Sequence, residues 1–234
     1  MSSLSPTSDN LWNQVWETIR ANFNHSPNSL TLNTTFILGA PPTAGRKRRE
    51  RSREHLTPEE VAKLLEATKL PGASRNPERD YCIMLLMFRH GLRVSEVCNL
   101  KLSDVDLEQK VFHVKRLKNC ASGDHPLFNG EPRAIQAWLK ERTKMHPHCN
   151  TLFVSERRKP LSRSMVFEMV KRIGAAAGLA DLNIHPHMLR HACGYNLINH
   201  GADVRIVQSF LGHRSIQSTV IYTQLAPGRF TNLY

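Results

Sequence analysis

The segment Pro77 to His90, PERDYCIMLLMFRH, constrains the fold more than any other. From Tyr81 to Phe88 it carries no charged side chain, which marks a helix buried all round rather than one with a solvated face. Asn76 and Pro77 open it and Gly91 stops it, the usual punctuation of a helix start and end. Such a helix needs other elements packed around it.

The flanking sequence supplies them. Thr57 and Glu60, with Pro58 between them, make a capping box that opens a helix running to about Lys69. A short helix is expected through VSEVCNL (94–100). The period then changes to two: KVFHVKRL (110–117) and HPLF (125–128) read as strands flanking the loop KNCASGD. A helix from about Pro132 to Lys144, a strand-like TLFV (151–154) and a helix from Ser164 to about Gly178 follow. HMLRHACGYNLINH, ended by Gly201, VRIVQSFL, ended by Gly212, and SIQSTVIYTQL complete the series. The expectation is a mainly α domain with a small antiparallel β-sheet, spanning about residues 56–225. No internal repeat is found.

Residues 1–45 are rich in Ser, Thr, Asn and Pro and read as loosely ordered, apart from a possible helix at 9–23. The run RKRRERSR, from Arg46 to Arg53, reads either as a solvated linker or as an arm that follows a polyanion. Residues 226–234 form a tail.

Charge narrows the partner. The chain has 32 Lys and Arg against 20 Asp and Glu, net +12, and its pI is near 9.9. Residues 1–55 account for only +3 of this, so a basic face is expected on the folded body, as for a protein that binds nucleic acid. The cysteines, Cys82, Cys98, Cys120, Cys149 and Cys193, are odd in number and include no C-x-x-C pair, which fits a reducing, cytoplasmic environment. No apolar run approaches the roughly 18 residues of a spanning helix, and the N-terminus has no charged region followed by an apolar one. Neither a membrane nor export is expected.

One set of polar residues resists a purely structural reading. Arg93 follows the buried helix, with Glu96 three residues on to pair with it; Arg190 sits among Met188, Leu189, Ala192 and Leu197. Two guanidinium groups emerging from apolar surroundings suit a bidentate grip on an anion. His187 and His213 are further donors, and Tyr222 is a hydroxyl nucleophile in the same stretch of chain. Metal binding is the competing reading, since His187 and His191 share a helical face and HPHC (146–149) adds ligands. Against it, there is no H-E-x-x-H glutamate, and Arg190 lies between the two histidines. No metal site and no cofactor is expected. His185, His191 and His200 taken singly read as packing residues, and so does Tyr195.

GLRVSEV, the hairpin lysine, HPHMLRH, LGH and the closing tyrosine, in that order, resemble the tyrosine site-specific recombinases, also called the phage integrase family. The resemblance spans residues 56–225 and is greatest to the short fimbrial phase-variation recombinases, through VFHVKRLKN, HPL, IHPHMLRHACG and GRF. It implies the tyrosine recombinase catalytic-domain fold and a protein that cuts and rejoins double-stranded DNA at specific sites, without metal or ATP. Arg93 and Arg190 would clamp the scissile phosphate with His187 and His213. Tyr222 would form a 3′-phosphotyrosyl link, and Lys118 would protonate the leaving 5′-oxygen, with Lys115 as the competing candidate. Glu96 and His191 would be supports.

The resemblance also implies a homotetramer on DNA, in the cytoplasm and associated with the nucleoid. About 55 residues precede Thr57, too few and too polar for the full N-terminal core-binding domain of longer relatives. Arg46, Lys47, Arg48, Arg49, Arg51 and Arg53 would replace part of that grip through phosphate contacts, with Lys115 and Arg116 on the hairpin contacting DNA as well. Phe230, Leu233 and Tyr234 in the tail either dock on a neighbouring subunit or fray. A DNA-binding regulator with the same fold, and a type IB topoisomerase-like enzyme, remain as alternatives. Strand exchange of this kind would serve DNA inversion, excision or integration.

Overall fold

A computed structural model describes residues 53–116, 122–128 and 130–223. The helix expected at 9–23, the arm from Arg46 to Arg51, Lys118 and the tail lie outside the described residues. The elements are α1 (Pro58–Ala67), α2 (Pro77–His90), α3 (Val94–Asn99), β1 (Val105–Asp106), β2 (Val111–Val114), β3 (Gly123–Pro126), α4 (Glu131–Met145), α5 (Arg163–Ala176), α6 (Pro186–Asn199), α7 (Val204–Leu211) and α8 (Gln217–Val220). Three-residue 3₁₀ turns occur at Leu102–Asp104, Ala180–Leu182 and Ile221–Thr223.

As its composition requires, α2 is the centre of the molecule. Every residue from Cys82 to His90 is buried, and its main neighbours are α4 and α6. Trp138 on α4 is fully buried, stacked on Phe153 with ring centroids 6.2 Å apart, and its indole N–H donates to the Leu152 carbonyl over 2.9 Å. The capping box on α1 forms as expected: the Glu60 amide donates to Thr57 Oγ1 (3.3 Å) and the Thr57 amide to Glu60 Oε2 (2.8 Å).

The β-structure differs in part from expectation. The sheet is antiparallel with order β1-β2-β3, so a third strand precedes the expected pair. Phe112 faces His125 and Val114 faces Gly123 across β2 and β3, which puts Phe112, Val114 and His125 on the buried face. TLFV is not a strand: it makes only the isolated bridges Lys101↔Thr151 and Val154↔Pro160. Leu152, Phe153 and Val154 are all fully buried, so the run is a continuous core plug without the alternation of a sheet edge. Among the described residues, the closing segment forms the short α8 and a 3₁₀ turn, with Tyr222 in that turn.

Gly91 ends α2 in the left-handed region, at φ +58°, and a Cβ there would lie 2.2 Å from Leu211 Cδ2. It is the point where α2 and α7 meet. Gly91→Ala is expected to cost roughly 2–4 kcal/mol, from backbone strain and overpacking together. Gly72→Ala, at φ +79° with open space around it, should cost only about 1–2 kcal/mol. Urea unfolding checks this, and equal losses at the two positions would show that the α2–α7 approach is loose.

Candidate active site

The candidate site is built on the C-termini of α2 and α7. The last carbonyl groups of a helix have no partner within it and carry the negative end of the helix dipole. Here arginines satisfy them. Arg190 Nη1 donates to the Gly91 carbonyl and Nη2 to the Leu211 carbonyl, the latter at 2.7 Å. Arg93 Nη2 donates to the Gly212 carbonyl over 2.9 Å. Arg116 donates through Nη2 to the carbonyls of His90 (3.3 Å) and Phe210.

Glu96 ties two of these arginines together. Its Oε1 accepts from Arg93 Nη1 and its Oε2 from Arg116 Nη1, each at 2.7 Å. At the third position of α3, Glu96 Oε2 also accepts from the Arg93 amide over 2.9 Å, which fixes Arg93 at the helix entrance. Burial opposes ionisation of Glu96, but Arg116 and Arg93 hold its carboxyl below the usual range. The Arg190 guanidinium, 4% exposed, is pulled down to about 10 by burial first, then by Arg93 and Arg116. It remains a cation at neutral pH. Arg93 is the more open of the pair, with 28% of its side chain exposed.

Arg116 corrects an expectation. We read it from the sequence as a DNA contact, but its side chain is 1% exposed and fully engaged with Glu96 and the helix carbonyls. It is an internal counter-ion that orients Glu96 and has no surface to offer a duplex. Lys115 is 56% exposed, with Nζ 2.6 Å from Asp104 Oδ1. Arg53 pairs with Glu60 at the surface.

Tyr222 is 1% exposed and lies against α6. Gly194 makes this possible: a Cβ there would lie 2.5 Å from Tyr222 Cε2 and 2.6 Å from Cζ. The ring of Tyr195 meets it edge-on, with centroids 5.0 Å apart, and His213 stacks on it at 6.1 Å and 25°. The phenolic oxygen is 3.2 Å from His191 Nδ1. Burial raises the Tyr222 hydroxyl to about 12, opposed by Arg190 and Arg93.

The histidines around it are held toward the neutral form in the folded chain. Burial and then the positive field of Arg190 and Arg93 push His213 down to about 3, and its Nδ1 is 2.9 Å from the buried Thr219 hydroxyl. His187, at the start of α6, makes no hydrogen bond to another described residue; its outer edge is exposed, and the partial burial of the ring, then His185 and Arg190, lowers it. His191 is lowered by burial and His187. Among the described residues no cluster of three or more His, Cys, Asp or Glu is disposed to hold a metal, and no helix is long and apolar enough to cross a membrane.

The structure thus joins Arg93, Glu96, Arg190, His191, His213 and Tyr222 through direct contacts or through the neighbouring carbonyl groups of Leu211 and Gly212, with His187 three residues from Arg190 on α6. Sequence reading missed Thr219, Gly194 and the edge-on contact of Tyr195 with Tyr222. Gly194, a glycine inside a helix, was the one legible signal, since such a residue marks a close approach.

Comparison with known proteins shows the family and the fold. Residues 54–229 match the phage integrase family, and the chain belongs to that family, the tyrosine recombinases. Among its relatives is the type 1 fimbriae regulatory protein FimB of Escherichia coli K12, 44% identical over 187 residues, covering 79% of this chain and 90% of FimB. FimE of the same strain is 40% identical over 184 residues, covering 78% and 91%. The crystal structure of XerA recombinase superposes with TM-score 0.66 at 31% identity over 80% of this chain, which spans 63% of the XerA chain. XerH bound to palindromic difH substrate superposes with TM-score 0.66 at 27% identity, covering 75% of this chain and 50% of the XerH chain.

The depressed histidines have a thermodynamic consequence. His125, His187, His191 and His213 all hold protons less tightly when folded than in the unfolded chain, whose histidines titrate near about 6.5. Below that pH the unfolded state binds more protons, so stability falls as pH falls. The urea midpoint should therefore drop between about pH 7 and about pH 5, above the carboxylate range. His213→Gln should make that slope shallower; an unchanged slope would show that His213 protonates freely in the fold.

Proposed function

We propose that the protein is a site-specific DNA recombinase that cleaves one strand of double-stranded DNA through a 3′-phosphotyrosyl intermediate on Tyr222. The observation that carries this reading is the contact set of Tyr222: its oxygen on His191, its ring on His213, and Arg190 and Arg93 acting on its ionisation. Phosphoryl transfer needs charge stabilisation and alignment above all. Arg93 and Arg190 each spend only part of their five N–H donors on carbonyl and carboxylate groups, leaving others for the non-bridging oxygens of a phosphodiester.

The steps follow from what each group can do. As the Tyr222 oxygen bonds to phosphorus, its proton must leave, and His191 Nδ1, kept neutral, is the acceptor within hydrogen-bond reach. His213 is also neutral; with the Thr219 hydroxyl donating to Nδ1, its Nε2 is left as the N–H donor to the phosphate. The bond from phosphorus to the 5′-oxygen breaks, and Lys118 supplies the proton to that oxygen. Lys115 is already bound to Asp104, which favours Lys118 for this role. The reverse attack by a 5′-hydroxyl rejoins the strands, so no energy source is consumed.

A groove of about 490 Å³ beside His187, lined by Phe167, Lys171, Asn183 and His185 among others, gives room for a nucleic-acid backbone. We extend the same reading to the basic arm from Arg46 to Arg53 as a phosphate-tracking segment, and to a homotetramer acting on two DNA sites. The relatives named tyrosine recombinase XerD of Bifidobacterium longum and tyrosine recombinase XerA of Pyrococcus furiosus support recombination over relaxation.

Covalent capture from a random-sequence duplex pool tests this and defines a cleavage site for later work. Wild type should form a protein–DNA adduct and Tyr222→Phe none. Thr219→Val should cleave the selected duplex about 10-fold or more slowly, through His213. Adduct from the Tyr222→Phe variant would overturn the assignment.

A further inference from the structure

Helix α6 carries its site residues as a stripe. His187, Arg190, His191 and Gly194 recur at intervals of three and four, so they share one face. Tyr195 continues that stripe, and no step of the mechanism uses it. Its ring meets the ring of Tyr222 edge-on, with centroids 5.0 Å apart and planes at 78°, an attractive arrangement of aromatic quadrupoles. It also meets the imidazole of His55, with centroids 4.1 Å apart and planes at 41°. His55 lies just before α1 and is held toward the neutral form by burial, then by Arg53, so it packs as an uncharged ring.

Tyr222 needs such walls. A phenol swings as a unit between staggered wells about its Cα–Cβ bond, and its oxygen travels with it. In-line attack requires that oxygen close to phosphorus and aligned, and a misplacement of about 1 Å can cost on the order of 10²-fold in rate. Gly194 provides the hollow for the Tyr222 ring and His213 a stacked face, while Tyr195 bounds it on a further side. Tyr195 is not itself fixed by close packing. With Leu56, Pro58, Phe88 and Asn196 it lines an open cavity of about 130 Å³, a space with room for several water molecules. His55 lines the same cavity, and its ring is the contact that braces Tyr195 there.

We propose that Tyr195, braced by His55, is a positioning residue for strand cleavage: it keeps the Tyr222 hydroxyl where it meets the scissile phosphorus and takes no part in holding the duplex. This rests on the reading of Tyr222 as the nucleophile. Tyr195 works through its ring, so its own hydroxyl is dispensable, and His55 works only through Tyr195.

The substrate for the test is the duplex selected by covalent capture. Single-turnover cleavage at saturating DNA and duplex affinity are both measured for wild type, Tyr222→Phe, Tyr195→Leu, Tyr195→Phe, His55→Ala and the double variant of His55→Ala with Tyr195→Leu. Each is assayed below its unfolding temperature. Tyr195→Met replaces Tyr195→Leu if the leucine variant does not fold.

Tyr195→Leu should cleave about 10-fold or more slowly than wild type, with affinity within about 2-fold, a loss confined to the step after binding. Tyr195→Phe keeps the ring and should stay within about 3-fold of wild type on both measures. His55→Ala should be slower by about 3-fold or more. In the double variant the change at His55 should add nothing, leaving the rate within about 2-fold of Tyr195→Leu, the non-additivity of two residues that act through one contact. A wild-type rate for Tyr195→Leu overturns the inference, as does an equal loss in Tyr195→Phe or a loss of affinity as large as the loss of rate. Further slowing by His55→Ala in the Tyr195→Leu background overturns the brace. Adduct from Tyr222→Phe would instead overturn the reading of the nucleophile, and this inference with it.

Discussion

Two helices, α2 and α7, end against each other, and the carbonyl oxygens left over at those ends are met by Arg93, Arg116 and Arg190. Most of the site follows from that. A helix C-terminus attracts cations, and two such ends with buried surroundings attract them strongly enough to draw guanidinium groups out of water. Burying that much positive charge without compensation would be costly, and Glu96 is the compensation. The result is a set of cations already oriented and partly desolvated before any ligand arrives, the condition under which charge stabilisation is most effective.

The same field governs Tyr222 and its neighbours. Burial raises the Tyr222 hydroxyl and lowers His213, while the arginines pull both downward. A neutral His213 and a protonated Tyr222 are thus the resting state. The tyrosine is held in place by shape, in the hollow that Gly194 leaves on α6, and its hydroxyl is held by His191. Thr219, six residues after His213 and three before Tyr222, orients the imidazole through its hydroxyl.

How much of this was legible in the sequence depends on the range of the interaction. The burial of α2, the capping box at Thr57 and the stop at Gly91 are local signals, and all were readable. The motif order located Arg93, His187, Arg190, His213 and Tyr222. Arg116 misled, because a lysine- and arginine-rich hairpin looks solvent-facing until α2 and α7 bring their carbonyl groups to it from residues 26 and 94 positions away. TLFV misled because four apolar residues in a row satisfy a strand pattern and a core plug equally. The contacts among His55, Tyr195 and Tyr222 had no sequence signature: three rings on three separate segments are joined only by the tertiary fold.

The central claim is that Glu96 organises the arginine grip and does not merely balance its charge. Glu96→Gln tests it most directly, by measuring both duplex affinity and the single-turnover cleavage rate at saturating DNA. With one negative charge removed, affinity should hold or tighten, while the cleavage rate falls by about 10-fold or more as Arg93 and Arg116 lose their shared anchor. An unchanged cleavage rate in a folded Glu96→Gln variant would contradict the account.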